Sequence, residues 1–204
     1  MAFEPLRRQM KRPYIIAINA VSGGGKTALA KLLQESLRAS VVFCFDDFDQ
    51  TNLYPEDFYD WWKCGADLRE FDCPGMGKAV DDEIQRSTTE FIIMDYPFGR
   101  DHPRFQTLID LSVFVDTPLD VAMARRIIRD CTVAAETAAA VLDRLRAELA
   151  HYLEKSRDVY LDTYRHKSGC DLVLDGCRSL EELRDHILER IKTERNVPQS
   201  SMYE

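Results

Sequence analysis

Five short runs of apolar residues recur along the chain, and each is closed by a polar residue. They are rich in valine, isoleucine and phenylalanine, residue types that favour extended backbone. The runs lie at residues 14–19, 41–45, 91–94, 111–115 and 172–174. Because their hydrophobicity is nearly continuous rather than alternating, we predict strands that are buried on both faces, as in a parallel sheet covered by helices.

Apolar residues recur at helical spacing between these strands. The first helix carries Ala28, Leu29, Leu32, Leu33 and Leu37. A second is predicted to begin at Thr117, where a threonine cap, a proline at the first helical position and Asp120 three residues after the cap resemble a capping box. A third spans about 133–164, and the last starts at Ser179 with Glu182 as its capping-box partner.

The alternation of strands and helices predicts an α/β doubly wound domain. The chain contains no internal repeat, low-complexity tract or linker that would divide it. We therefore predict a single domain over residues 13–196, with an N-terminal tail at 1–12 and a C-terminal tail at 197–204.

Composition and charge exclude several classes of protein. The 204 residues are 45% hydrophobic and 30% charged, and the net charge of -8 argues against a sequence-wide affinity for nucleic acid or anionic membrane. No apolar run approaches the ~18 residues of a membrane span, so we expect a cytoplasmic protein. The six cysteines form no C-x-x-C pair and the four histidines lack metal-ligand spacing, which favours reduced thiols over a zinc site.

The first predicted strand runs directly into a glycine-rich loop that opens the first helix. The loop reads A-V-S-G-G-G-K-T over residues 20–27, which is a P-loop in the strand-loop-helix context that it requires. In such a loop the backbone N–H groups converge on phosphate oxygens, Lys26 reaches the β- and γ-phosphates, and the Thr27 hydroxyl ligates Mg²⁺. The predicted ATP contacts are Ser22, Gly23, Gly24, Gly25, Lys26, Thr27 and Ala28.

One position departs from the strict P-loop pattern. Ala20 stands where that pattern has its first glycine. Alanine is tolerated there provided that the backbone does not need a positive φ. The alternative interpretation is a glycine-rich turn with a surface lysine.

Two carboxylates follow the second predicted strand. Asp46 and Asp47 lie at its C-terminal end, the edge where ligands bind in open α/β sheets. In a kinase, such an aspartate accepts the proton of the attacking hydroxyl or orients that hydroxyl. Two alternatives stay open for Asp46: the metal ligand of an ATPase, and a structural helix cap or turn.

Three further segments follow the P-loop and Asp46-Asp47-Phe48 in a characteristic order. They are Phe71-Asp72-Cys73-Pro74, Val115-Asp116-Thr117-Pro118 and Arg125-Arg126-Ile-Ile-Arg129-Asp130. From about residue 14 to 191 the chain resembles the uridine kinase and nicotinamide riboside kinase branch of the P-loop kinases. The resemblance implies a three-layer P-loop NTPase fold, in which helices flank a five-stranded, mainly parallel sheet and a small helical lid covers about 125–145.

The resemblance also implies roles for individual residues. Asp46 matches the catalytic aspartate, Asp72 the aspartate that holds the ribose hydroxyls, and Asp95 a carboxylate that helps bind Mg²⁺ together with Thr27. Asp47 is assigned with Asp72 to substrate binding. The lid arginines that close over the phosphates match Arg125, Arg126 and Arg129, whose spacing places them close together on one helix. The alternative for these arginines is a solvated basic face paired with nearby acids.

Two weaker signals concern the phosphate acceptor. Arg100 follows the end of a predicted strand and is a candidate substrate contact, with a surface ion pair as the alternative. The segment 54–62 is unusually aromatic, and Phe58, Trp61 and Trp62 share a helical face that could pack internally or stack on a flat ring. Cys73 stands where uridine kinases often have histidine, which leaves the acceptor open.

These observations predict a kinase that uses ATP and Mg²⁺ to phosphorylate a hydroxyl of a small molecule, with the 5'-hydroxyl of a nucleoside as the first choice. A kinase of pantothenate or of a sugar acid, an ATPase or nucleotide switch, and a non-catalytic homologue are the alternatives. The chain lacks the Asn-Lys-x-Asp guanine motif of a GTPase. Homo-oligomerisation is left open.

Overall fold

The fold is built on one parallel sheet, seen in a computed structural model that describes residues 12–86, 88–131 and 137–195. The strands are β1 (Tyr14–Asn19), β2 (Ser40–Cys44), β3 (Phe91–Asp95), β4 (Leu111–Asp116) and β5 (Leu172–Asp175). Their order is β2-β3-β1-β4-β5, and every pair is parallel. All five predicted strands are confirmed, and so is the predicted α/β class with its five-stranded sheet.

Seven α-helices connect and cover these strands in the described part of the chain. They are α1 (Lys26–Ser36), α2 (Phe58–Lys63), α3 (Pro74–Arg86), α4 (Leu119–Cys131), α5 (Ala138–His151), α6 (Arg157–Asp162) and α7 (Leu180–Arg195). A π-helical turn, Tyr152–Ser156, joins α5 to α6, and a 3-10 segment, Thr163–Gly169, follows α6. No helix among the described residues is both long enough and apolar enough to cross a membrane.

Successive residues of β1 point into two separate cores, which explains the continuous hydrophobicity of the strand. Ile16 and Ile18 pack with α1 and α7 on one face of the sheet. Ile15 and Ala17 pack with α3 and with the segment after β3 on the other face. Because helices cover both faces, no position in the middle of the sheet has to be polar.

The residues that the sequence predicts as helix caps make hydrogen bonds of two different kinds in the structure. The predicted capping box of α7 is confirmed, since the Glu182 N–H donates to the Ser179 hydroxyl (3.2 Å) and the Ser179 N–H donates to the Glu182 carboxylate (3.1 Å). The Thr117 hydroxyl, which the sequence predicts to cap α4, instead donates to the carbonyl of Gly24 (2.8 Å). Thr117 therefore connects the region before α4 to the glycine-rich loop.

The single long helix predicted over 133–164 differs from the structure. It is divided into α5, the π-helical turn and α6, while residues 132–136 lie outside the described residues. The residue range predicted as a lid, about 125–145, includes the end of α4 and the start of α5. The predicted tails also lie outside the described residues, except for Arg12, whose guanidinium pairs with Asp110 (2.6 Å).

Candidate active site

The glycine-rich loop connects β1 to α1 and places Lys26 at the start of the helix. Gly23 and Gly25 have φ values of +81° and +102°, a region that favours glycine. Ala20 has no positive φ, which satisfies the condition for alanine at the first loop position. The Lys26 ammonium donates to the Ala20 carbonyl (3.1 Å), so the lysine folds back under its own loop.

Carboxylates from two neighbouring strands meet beside this loop. Asp95 ends β3, and Asp46 follows β2 in a short 3-10 turn. Since β2, β3 and β1 are adjacent, their C-terminal ends share one edge of the sheet. The Thr27 hydroxyl donates to the Asp95 carboxylate (2.5 Å), which brings together two of the predicted metal-binding oxygens.

The electrostatics of this edge combine burial with opposite charge. Burial raises the pKa of Asp95, and the Lys26 ammonium and the Thr27 hydrogen bond partly counter that effect. Burial lowers the pKa of Lys26, while Asp95 and Asp46 act in the opposite direction. The oxygens of Thr27 and Asp95 are hard ligands of the kind that Mg²⁺ prefers, so these residues fit the predicted metal.

The three predicted lid arginines, all on α4, reach different surroundings. Arg125 donates to the Gly176 carbonyl (3.1 Å) after β5. Arg126 donates to the Tyr160 hydroxyl, with its guanidinium 5.6 Å from the centre of that ring. Arg129 pairs with Asp130 (2.8 Å), and its charge contributes to lowering the pKa of Lys26. Arg125 and Arg126 therefore connect α4 to the end of β5 and to α6, while Arg129 acts on the glycine-rich loop through its charge.

A cavity of about 500 Å³ lies against the loop and the two carboxylates. Its polar lining near the sheet edge consists of Ser22, Lys26, Asp46 and Asp95. Its aromatic lining consists of Phe45, Tyr54, Phe58, Tyr59, Trp61, Phe71 and Phe98. The segment from α5 to the 3-10 turn after α6 contributes His151, Lys155, Ser156, Val159, Tyr160, Asp162, Thr163 and His166. This size and this mixture of groups suit a small organic ligand.

The aromatic segment 54–62 provides both packing and cavity lining. Trp61 is 7% exposed, its ring centre lies 5.1 Å from that of Phe71, and its indole N–H donates to the Asp67 carbonyl (2.9 Å). Phe58 lines the same cavity and is 46% exposed. Trp62 stacks on Tyr59 with ring centres 5.7 Å apart.

Three residues predicted to bind substrate do not line the cavity. Asp47 is exposed beyond Asp46. Asp72 is also exposed, and its carboxylate accepts the next backbone N–H, that of Cys73 (2.8 Å). Arg100 pairs with Asp171 (2.5 Å) and donates to the Asp110 carbonyl (2.6 Å). An ion pair was the alternative to substrate binding for this residue.

Several cavity residues were not singled out from the sequence. Tyr160 and His166 come from the segment after α5, more than 100 residues beyond Asp46. His102, only 3% exposed, does not line the cavity itself, but its Nε2–H donates to the carbonyl of Phe71 (3.0 Å), one of the aromatic lining residues. No local spacing marks these residues, because only the tertiary fold brings them together.

Comparisons of the sequence with known proteins found relatives among the uridine kinases. The model of the phosphoribulokinase / uridine kinase family matches residues 78–166. The uridine kinase of Brevibacillus brevis is 30% identical over 148 residues, covering 59% of this chain and 68% of that protein. The uridine kinase of Shewanella sp. (strain W3-18-1) is 27% identical over 192 residues, covering 76% of this chain and 88% of that protein.

A solved structure shares the architecture at lower sequence similarity. The tunicamycin resistance protein of Deinococcus radiodurans superposes with a TM-score of 0.53 and 17% identity, covering 88% of this chain and 96% of that one. At this identity the likeness extends to the fold alone.

Proposed function

We propose that this chain, which belongs to the phosphoribulokinase / uridine kinase family, is a kinase that transfers the γ-phosphoryl group of ATP to the 5'-hydroxyl of a nucleoside. The observation that carries the proposal is the cavity that joins Lys26, Asp46 and Asp95 to an aromatic wall. A planar base would pack against aromatic side chains, while the sugar hydroxyl would lie near the charged edge.

The proposed phosphate site is the glycine-rich loop with the N-terminus of α1. Backbone N–H groups of Ser22 to Ala28 would hold the phosphates, and Lys26 would neutralise the β- and γ-oxygens. Arg129 would add positive charge over the loop, whereas Arg125 and Arg126 would have to exchange their present partners, Gly176 and Tyr160, to reach a nucleotide. Catalysis would then depend on positioning and on electrostatic stabilisation of the transferring group.

The proposed acceptor chemistry centres on Asp46. This carboxylate lines the cavity and would accept the proton of the attacking hydroxyl, or orient that hydroxyl, as phosphoryl transfer proceeds. Thr27 and Asp95 would hold Mg²⁺, which supplies charge neutralisation on the phosphate oxygens when bound. Asp47, Asp72 and Arg100 lie outside the cavity lining, so this mechanism does not depend on them.

The decisive experiment measures ADP release from Mg-ATP with uridine, cytidine, nicotinamide riboside, pantothenate or gluconate, and without an acceptor. We expect one of the nucleosides to stimulate ADP release, with one phosphorylated nucleoside formed per ADP. Stimulation by pantothenate or gluconate alone would replace the nucleoside with another alcohol. Equal ADP release without any acceptor would identify an ATPase, and no release would indicate a non-catalytic homologue.

A second prediction concerns the free energy of unfolding. The folded-state pKa of Asp95 lies above its unfolded value. The contribution of Asp95 to the free energy of unfolding is therefore fully present below about pH 3.9, and it is lost as the pH rises through the folded-state pKa. Asp95→Asn removes this loss, so at pH 7 the ligand-free variant should have the higher Tm, by roughly 2–4 °C for each kcal/mol regained. The increase in Tm caused by Mg-ATP should shrink, since a proposed metal ligand is gone.

The matched control for that prediction is Asp82→Asn. Asp82 forms a solvent-accessible ion pair with Lys78 on α3, away from the cavity lining. Its replacement should change neither Tm nor the response to Mg-ATP appreciably. A lower Tm for ligand-free Asp95→Asn at pH 7 would contradict the electrostatic account of Asp95.

A further inference from the structure

His166 is a buried histidine that lines the cavity but has no part in the proposed phosphoryl transfer. It lies in the 3-10 segment Thr163–Gly169 and is only 5% exposed. Its Nδ1 atom is 2.5 Å from a carboxylate oxygen of Asp101. The Phe98 ring stands nearly perpendicular to the imidazole, with ring centres 6.2 Å apart. The imidazole is thus held by a carboxylate and by an aromatic ring.

Asp101 reaches His166 from the segment after β3. It ends the 3-10 turn Gly99–Asp101, 65 residues before its partner. A Cβ atom at Gly169 would lie 3.0 Å from the Asp101 carboxylate, so glycine there leaves room for the carboxylate. Two segments distant in sequence therefore pack closely enough to fix one imidazole orientation.

The pairing determines which ring atom remains for a ligand. With Asp101 accepting from Nδ1–H, the neutral imidazole keeps its lone pair on Nε2. Among the described residues Nε2 has no hydrogen-bond partner. It is not fully buried, unlike the partnerless side-chain oxygens of Asn19 and Asn52. Since His166 lines the cavity, the accessible Nε2 can serve as a hydrogen-bond acceptor there.

We propose that His166 is a specificity-determining residue, whose Nε2 accepts a hydrogen bond from an N–H or O–H group on the planar ring of the acceptor molecule, and that Asp101 is its positioning residue. The inference rests on the proposed function and narrows its acceptor to rings that carry a donor on the edge facing His166. Phe58, Phe71 and Phe98 of the cavity lining would pack against the ring, while the single polar contact would select its edge.

The test compares ligands that differ only in the donor. Calorimetry in the presence of Mg-ADP would measure Kd for uridine and 3-methyluridine, and for nicotinamide riboside and its N,N-dimethylcarboxamide analogue. The wild type should bind at least one parent about 10-fold more tightly than its methylated partner, the size expected when one hydrogen bond in a buried site is lost.

Variants separate the hydrogen bond from steric exclusion of the methyl group. His166→Phe keeps a ring of similar size but has no acceptor, so the preference for the parent should fall to about 2-fold or less. Asp101→Ala should lower the same ratio, because the imidazole loses its orientation. His186→Phe is the matched control, since His186 lies on α7 and its Nδ1 contacts the Glu182 carbonyl (2.7 Å); its ratio should equal that of the wild type.

The outcomes for His166 and for the proposed function are distinct. A His166→Phe variant that retains the full preference, or a wild type that shows no preference for either parent, would overturn the role of His166. ADP release is measured separately, and its failure to respond to any nucleoside would refute the proposed function even if the binding preference is found. Mg-ATP should raise the Tm of His166→Phe and of the wild type equally, which checks that the variant is folded.

Discussion

Replacing Asp46 by asparagine is expected to reduce kcat by at least ~10²-fold while Mg-ATP still binds. Asparagine has nearly the same shape as aspartate, but it carries no charge and does not accept a proton from a hydroxyl. Asp46 lines the cavity, and its carboxylate acts on the pKa of both Lys26 and Asp95, so it lies between the proposed acceptor site and the proposed phosphate site. The measurement is steady-state turnover of the acceptor found in the ADP-release experiment, with binding of Mg-ATP followed by its effect on Tm.

The neighbouring carboxylate provides the control for Asp46. Asp47→Asn changes the same charge by the same amount one residue away, but Asp47 does not line the cavity. We expect its kcat to fall much less than that of Asp46→Asn. Nearly full turnover in Asp46→Asn, together with a large loss in Asp47→Asn, would transfer the role of proton acceptor to Asp47. Equal losses in both would instead indicate a general effect of negative charge at the end of β2.

The sheet and the phosphate loop were predictable because their signals are local. A strand buried on both faces needs apolar residues at every position, and β1 meets that condition from Ile15 to Ile18. The loop 20–27 has a fixed spacing set by backbone geometry rather than by distant contacts. Parallel strands also bring their C-terminal ends to one edge, so Asp46 and Asp95 could be placed together before their contacts were known.

The far wall of the cavity was not predictable, because it depends on packing between distant segments. Leu142 and Leu153, in the region predicted as the third helix, are exposed at 45% and 74% rather than buried. Tyr160 of α6 and His166 of the following 3-10 segment instead line the cavity. Helical periodicity shows that two faces differ, but it does not show which face meets a ligand.

Arg100 illustrates a second reason why side-chain roles escape local patterns. It follows β3 near the expected ligand edge, and that position alone made it a candidate substrate contact. Asp171, 71 residues later, pairs with the guanidinium through Nη1, and the backbone carbonyls of Ile109 and Asp110 accept hydrogen bonds from its Nε and Nη2 atoms. An arginine that satisfies several donors within the protein acts as a connector between loops.

Alanine at Gly23 is expected to destabilise the protein strongly and to weaken Mg-ATP binding. At φ +81° an alanine carries a left-handed strain of roughly 1–2 kcal/mol. Its Cβ would also lie 2.2 Å from the backbone carbonyl oxygen of Ala122 on α4, a residue with no exposed surface, so the loop or the helix must move. Overpacking of this kind adds about 1–3 kcal/mol. Unfolding in urea without nucleotide measures the loss, and calorimetry measures the binding of Mg-ATP.

Gly25→Ala separates the backbone strain from the collision. Gly25 also has a positive φ, +102°, but a Cβ there would meet nothing within 4 Å. Both variants gain the same small benefit from a less flexible unfolded chain. Gly23→Ala should therefore be about 1–3 kcal/mol less stable than Gly25→Ala. Equal stabilities would show that α4 yields freely at Ala122. A difference of the expected size would mean that the loop at Gly23 is packed tightly against α4 at Ala122.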